Sequence, residues 1–204
     1  METARARTTP LAATTPSGIC GIEDLRWGSH ICQWYLRRED LAQTLVPYFE
    51  AGLKNRERCV WVTAAPYEMA DAKRDLEAAV AGLDRMIADK QMRIVDAGGW
   101  YVNGNSLRGL NVVEHWLAEE REALAAGYSG LRIATNTSFV SEDDWRLFIE
   151  YENGFNQEML QKHRIVALCS YNLLAVTPAR MFDAVHSHQV TIHRAGTDWQ
   201  ALEL

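Results

Sequence analysis

Strand-like and helix-like segments alternate along this chain, and that alternation limits its fold more tightly than any single motif. Short runs rich in β-branched and aromatic residues stand at "HICQWY" (30–35), "RCVWVTAA" (58–65), "QMRIVDA" (91–97), "GLRIAT" (130–135) and "RIVALCSY" (164–171). The second of these is apolar almost throughout, as a strand covered on both faces should be. Between them the apolar residues take helical spacing. Leu41, Leu45, Tyr48, Phe49 and Leu53 do so in "EDLAQTLVPYFEAGL", where Pro47 should kink or shorten the helix. Pro66 is placed to open the next helix, whose stripe is Met69, Ala72, Leu76 and Val80 and whose stop is Gly82. Val113, Leu117 and Leu124 mark a helix ending at Gly127. Ser141 followed by Asp144 marks the start of another, with Asn153-Gly154 as its weak point. Thr177-Pro178 caps a short helix ending near His186, and "HQVTIHR" and "WQALEL" around "AGTD" form a terminal hairpin.

Strands and helices in this order predict an α/β fold of three layers: a mostly parallel central sheet, helices on both faces, and a C-terminal hairpin. A length of 204 residues suits one such domain, taken as residues 25–204, preceded by a mobile Thr/Ala/Pro-biased tail over residues 1–24. Lys and Arg total 21 against 27 Asp and Glu, and no basic run stands out, which argues against a nucleic-acid surface. The apolar runs fall far short of a membrane span, and the N-terminus has no secretory apolar region, so the expected location is cytoplasmic.

In parallel sheets ligands bind beyond the carboxyl ends of the strands. That rule selects Trp34 and Tyr35, Thr63 and Ala64, Asp96 with Trp100 and Tyr101, Asn136 and Thr137, and Tyr171 and Asn172. The first strand-to-helix junction, "CQWYLRRED", has no glycine and no lysine. A nucleotide-hydrolysing phosphate loop needs both, so ATP hydrolysis is rejected there. Arg37 and Arg38 either meet an anion at the helix start or are solvated surface residues. Glu152 falls on the apolar stripe of its helix, among Trp145, Phe148, Ile149, Phe155 and Met159. A carboxylate on that face must be paired or protonated unless the helix turns it to water. The inward reading puts it in a pocket with Trp34, Tyr35 and Tyr171, close to Tyr151.

Of four cysteines, no two have a CxxC spacing. Cys32, Cys59 and Cys169 sit in apolar runs as small core residues; alternatively Cys32 and Cys169 meet at neighbouring strand ends and line a site. His30 shares a strand face with Cys32. His186, His188 and His193 show no metal-ligand spacing, and isolated histidines are ordinary hydrogen-bonding residues. Neither GxSxG nor HExxH occurs, so the expectation is no catalytic role, no metal and no cofactor.

"GSHICQWY", "LVPYFEAGLKNRERCVWV", "AGYSGLRI", "FIEYEN" and "IVALCSY" with an "HSHQV" tail together resemble the MEDS family, the methanogen/methylotroph DcmR sensory domains, over residues 25–195. The chain departs from the family at "KNRERC", where a glycine usually precedes the Glu, which touches a turn only. The resemblance implies a RecA/KaiC-like fold without its phosphate loop, and sensing of a small organic molecule, simple hydrocarbon derivatives among them. Its matching residues here are His30, Cys32 and Tyr35, then Tyr151 and Glu152, then Cys169 and Tyr171. The family occurs beside kinases, anti-sigma modules and transcription regulators. The chain's end near residue 204 leaves no room for an output domain, so a separate partner protein is expected, reached through a helix face or a homodimer contact. The competing readings are a redox, metal or haem sensor using Cys32, Cys169 and His30, and a ligand-free adaptor.

Overall fold

The computed structural model describes residues 13–103, 106–107, 111–159, 162–196 and 198–203; expectations for residues 1–12 and for the Met159 side chain fall outside these. Its main sheet has seven strands: β1 (His30–Tyr35), β2 (Arg58–Thr63), β3 (Met92–Asp96), β4 (Leu131–Asn136), β5 (Ile165–Asn172), β6 (Val190–Ala195) and β7 (Asp198–Glu203). In space they run β7-β6-β1-β5-β4-β2-β3, and every neighbouring pair is parallel except β6 with β7. That antiparallel pair is the predicted hairpin.

The helices are α1 (Arg38–Lys54), α2 (Met69–Ala79), α3 (Leu83–Ala88), α4 (Ala97–Tyr101), α5 (Asn111–Ala125), α6 (Trp145–Met159) and α7 (Pro178–His186). Side chains alternate across each strand, so the sheet feeds two cores. Ile31, Tyr35, Trp61 and Leu168 pack with α1, α2 and α3, where Leu41, Leu45, Tyr48, Phe49 and Leu53 form the stripe read from the sequence. Cys32, Trp34, Val62, Ala167, Cys169 and Tyr171 pack with α4 to α7 through Tyr101, Trp116, Phe148, Tyr151, Phe155 and Ala184. Each such large side chain adds roughly 1.5–3 kcal/mol of gross burial energy.

Three local expectations are corrected. Pro47 does not shorten α1, which runs on to Lys54. Pro66 does not open a helix: Tyr67 N donates to Ala64 O at 3.1 Å, closing a turn, and α2 begins at Met69. Part of the expected mobile tail is packed: alternate residues from Thr15 to Ile19 turn into the domain. Thr14–Thr15 pairs with Leu25–Arg26, and Thr15, Ser17 and Ile19 are buried. The cause is Arg132, which is fully buried beside Glu57. Its Nε donates to Glu57 Oε2 at 2.6 Å, and its terminal nitrogens reach Thr15 Oγ1 (3.0 Å), Pro16 O (2.8 Å), Ser17 O (3.3 Å) and Tyr48 O (3.0 Å). A buried guanidinium needs such acceptors, and the tail backbone supplies two of them. Gly52 gives it room, because a Cβ there would stand 2.4 Å from Arg132 Nε.

Candidate functional site

The strand-to-helix corner after β1 is occupied by the chain itself. Leu36 N and Arg37 N donate to Asp40 Oδ2 at 3.1 and 3.0 Å, and Arg194 Nη1 on β6 donates to Asp40 Oδ1 at 2.9 Å. The amides that would cradle a phosphate thus hold a carboxylate. Burial pushes the Asp40 carboxyl up, but those amides and Arg194 outweigh it and hold it below its usual range. Arg38 meets Asp71 at 3.0 Å and Asp75 at 3.7 Å and covers the Tyr67 ring, while the Arg37 side chain is exposed near Asp40.

The other strand ends are closed by protein groups. Tyr35 OH donates to Asn136 Oδ1 at 3.2 Å, Asn136 Nδ2 donates to Ala64 O at 2.9 Å, and Tyr101 OH meets Thr135 Oγ1 at 3.0 Å. Tyr35 packs in the α1 core, on the opposite side of the sheet from Glu152, Trp34 and Tyr171. The structure therefore does not bring Tyr35 to the carboxylate.

What it does assemble lies between the sheet and α6. Glu152 is buried on the inner face of α6, as its place on the helical stripe predicts. Its Oε2 is 3.2 Å from His30 Nε2, 3.1 Å from His188 Nε2 and 3.4 Å from Tyr171 OH. Cys169 Sγ stands 3.8 Å from Glu152 Oε1 and 3.6 Å from His30 Nε2. One donor atom from each of His30, Glu152, Cys169 and His188 lies within 4.8 Å of all the others, and all four residues are buried.

Each element places its residue for a local reason. His30 opens β1, whose register against β5 sets His30 opposite Ala167 and Cys32 opposite Cys169. The two cysteines are neighbours on one face, but mid-strand rather than at strand ends. His188 lies between α7 and β6. There Gln189 N donates to His30 O at 3.0 Å, and Val190 pairs with Ile31, which draws the imidazole of His188 to 3.9 Å, centre to centre, from that of His30.

The electrostatics follow from enclosure. Burial and His188 lower the pKa of His30 to about 4, against the opposing pull of Glu152. Burial alone pushes Glu152 up, but the imidazoles of His188 and His30 beside it outweigh that and hold the carboxyl at about 2. Burial raises the Cys32, Cys169 and Tyr171 groups well above their ordinary values, with the Glu152 charge adding to it. At neutral pH the site is an ionised carboxylate facing neutral thiols and phenols.

Around it stands an aromatic wall. His30 meets the Phe155 ring at 5.1 Å, Phe155 meets Tyr151 at 6.0 Å, and Trp34 lies 5.4 Å from Tyr171. Tyr151 OH accepts from Trp116 Nε1 at 3.1 Å, and Trp116 packs on Trp100 at 4.8 Å. Trp100, half-buried under Arg93, is thus two rings removed from the carboxylate rather than beside it. Sequence reasoning missed His188. Its signal was weak: one of three late histidines, of which His186 stacks on Phe182 at the surface and His193 is exposed.

The chain resembles known proteins in sequence and in fold. Residues 29–189 match the model of the MEDS family, described as the methanogen/methylotroph DcmR sensory domain, a span that holds all four clustered residues. The transcriptional repressor DcmR of Methylorubrum extorquens is 26% identical over 173 residues; these are 82% of this chain and 61% of that repressor. The KaiC-like protein PH0186 of Pyrococcus horikoshii superposes with a TM-score of 0.58 at 11% identity, covering 94% of this chain and 86% of its own. The flagellar accessory protein FlaH of Methanocaldococcus jannaschii gives 0.52 at 13% identity, covering 86% and 76%. These two likenesses establish the RecA/KaiC-like fold and nothing further. With a family match over most of its length, carried through the strand and helix ends that build the buried cluster, the chain belongs to the MEDS family of sensory domains.

Proposed function

We propose that this chain is a non-catalytic small-molecule sensor of prokaryotic signal transduction. Its ligand is a small organic molecule of the simple hydrocarbon-derivative class, received against the α6 side of the sheet, and its output goes to a transcription regulator. The observation that carries this reading is the buried Glu152 carboxylate, set among imidazoles, a thiol and a phenol inside an aromatic wall. An apolar site with a few convergent polar groups suits a small organic ligand. Among the candidate contacts, Trp34 (7%), Tyr151 (6%) and Cys169 (7%) keep some exposure and Cys32 and Tyr171 none, which favours the first three as the ligand's contacts. Membership in a family of sensory domains and likeness to a transcriptional repressor support the output class.

A thermal-shift series with short alcohols, aldehydes and halogenated C1–C3 compounds tests it. A ligand at 100 times its Kd stabilises by about 2.7 kcal/mol, roughly 5–10 °C in Tm for a domain of this size. The same compound should leave Glu152→Gln unshifted while that variant stays folded. If no compound shifts the wild type at millimolar concentration, the small-organic reading fails.

A further inference from the structure

The buried cluster has a chemistry of its own, separable from any organic ligand. We propose that His30, Glu152, Cys169 and His188 form a tetrahedral site for a divalent transition-metal ion of the zinc class. This deepens the sensory reading by giving the same buried site a resident ion, and it rests on that reading only for its biological use.

Four of the six pair distances come near those of a tetrahedron, and all six lie within 4.8 Å. Zinc binds nitrogen and oxygen at about 2.0–2.1 Å and sulfur at about 2.3 Å, so ligand atoms on one ion stand about 3.3 Å apart, or about 3.6 Å where one of the pair is sulfur. His188 and His30 Nε2 stand 3.1 and 3.2 Å from Glu152 Oε2, and Cys169 Sγ stands 3.6 Å from His30 Nε2 and 3.8 Å from the other carboxylate oxygen, Oε1. Two histidines, a carboxylate and a thiol from β1, the α7–β6 junction, α6 and β5 converge in this way.

The hydrogen bonding points the same way. His188 Nδ1 lies 2.7 Å from the carbonyl of Ala184, an acceptor, so the ring's proton sits there. Its Nε2 is buried and lacks a partner of hydrogen-bond geometry, although Glu152 Oε2 is 3.1 Å away. With the ring proton on Nδ1, the Nε2 lone pair faces the carboxylate oxygen, an arrangement that a cation bound by both atoms relieves. A backbone carbonyl on the far nitrogen is also the usual outer support of a metal-bound histidine, fixing its tautomer and aim. Tyr171 OH supports Glu152 in the same way.

The charges balance. On binding, the Cys169 thiol gives its proton to solvent, and thiolate and carboxylate together neutralise a divalent ion beside two neutral imidazoles. Nitrogen, sulfur and oxygen in a closed tetrahedron favour zinc over magnesium or calcium, which take oxygen donors. The imidazoles, 3.9 Å apart, must splay when both turn onto one ion, and His188 would move with the junction that starts β6.

Cobalt(II) titration of chelator-treated full-length protein tests this, in a Cys20→Ser background because Cys20 is the exposed cysteine among the described residues. One equivalent should give tetrahedral ligand-field bands and a thiolate-to-cobalt charge-transfer band, both displaced by one equivalent of zinc. Cys169→Ser should abolish the charge-transfer band, while Cys32→Ser, at its register partner, keeps it. Glu152→Gln, which preserves shape, should weaken zinc on the order of 100-fold or more, beyond what an outer partner contributes. No stoichiometric binding by the folded wild type, or a charge-transfer band that survives Cys169→Ser, overturns the proposal. Zinc binding without any organic-ligand shift would sink the organic reading and leave the metal site standing; an organic shift in metal-free protein that binds no cobalt would do the reverse.

Discussion

Glu57→Gln removes a charge while keeping nearly the same volume. In the folded chain Glu57 accepts Arg132 Nε at 2.6 Å, Arg132 Nη2 at 3.2 Å and Asn55 Nδ2 at 2.9 Å, and it also bonds Thr15 Oγ1. Glutamine keeps one acceptor oxygen and turns an amide donor toward a guanidinium that is completely buried. Breaking a buried pair from one side costs about 3–5 kcal/mol, because the remaining charge is left without its counterion. Arg132 retains the carbonyls of Pro16, Ser17 and Tyr48, so the low end, about 3 kcal/mol, is expected. For a domain of this size that lowers Tm by roughly 6–12 °C. The pH dependence has a definite sign. Burial pushes Glu57 up, but Arg132, Asn55 and Thr15 outweigh it and hold its carboxyl below the usual range. A depressed folded pKa adds stability above the unfolded carboxylate range, and this is lost as pH falls through the folded value. The deficit of Glu57→Gln should therefore be full at pH 7 and shrink in acid, where the wild-type carboxyl is itself protonated. Urea unfolding at several pH values, with unchanged m-value, measures it. A deficit under about 1 kcal/mol at pH 7, or one that persists undiminished after the wild type has protonated, would refute the argument.

Gly52→Ala should destabilise by about 1–3 kcal/mol, since the new methyl meets Arg132 Nε at 2.4 Å and Arg132 is locked by its acceptors; denaturant unfolding reads this directly. Asp40→Asn removes the anion that accepts from Leu36 N and Arg37 N and pairs with Arg194, and should cost about 1–2 kcal/mol at neutral pH. Its deficit should fade in acid, because the depressed Asp40 pKa makes the wild-type contribution one that is lost as pH falls. Phosphate release from ATP should stay at background in a coupled assay, because the corner amides are engaged by Asp40 and no lysine stands there.

The fold was legible because period-two and period-3.6 patterns alternate cleanly, and parallel sheets follow from that order. The inward face of Glu152 was legible for the same reason: helical phase is local information. Convergence of the four ligand-type residues was not. His188 joins His30 only through β6 pairing with β1, a contact across nearly the whole chain that no spacing encodes. Tyr35 was misplaced because strand ends were read without strand faces: two residues adjacent in sequence, Trp34 and Tyr35, enter different cores. The packed N-terminal segment was invisible since its composition looks mobile, and its anchor, Arg132, lies far off in an apolar strand.

The position of β1 also bears on how the domain comes into being. It is the first strand of the main sheet to leave the ribosome, yet its two neighbours, β5 and β6, come last among the parallel strands. Until β5 is made, then, "HICQWY" has neither edge paired, and its second edge waits for β6; non-local pairing of this kind is slow and exposed to aggregation. The thiol of Cys32 and the imidazole of His30 stay open to solvent for the same interval. A nascent chain stalled before residue 188 has every helix of the domain but no complete cluster. The cluster is therefore completed in one late step, when the final parallel strand docks and brings His188 against His30.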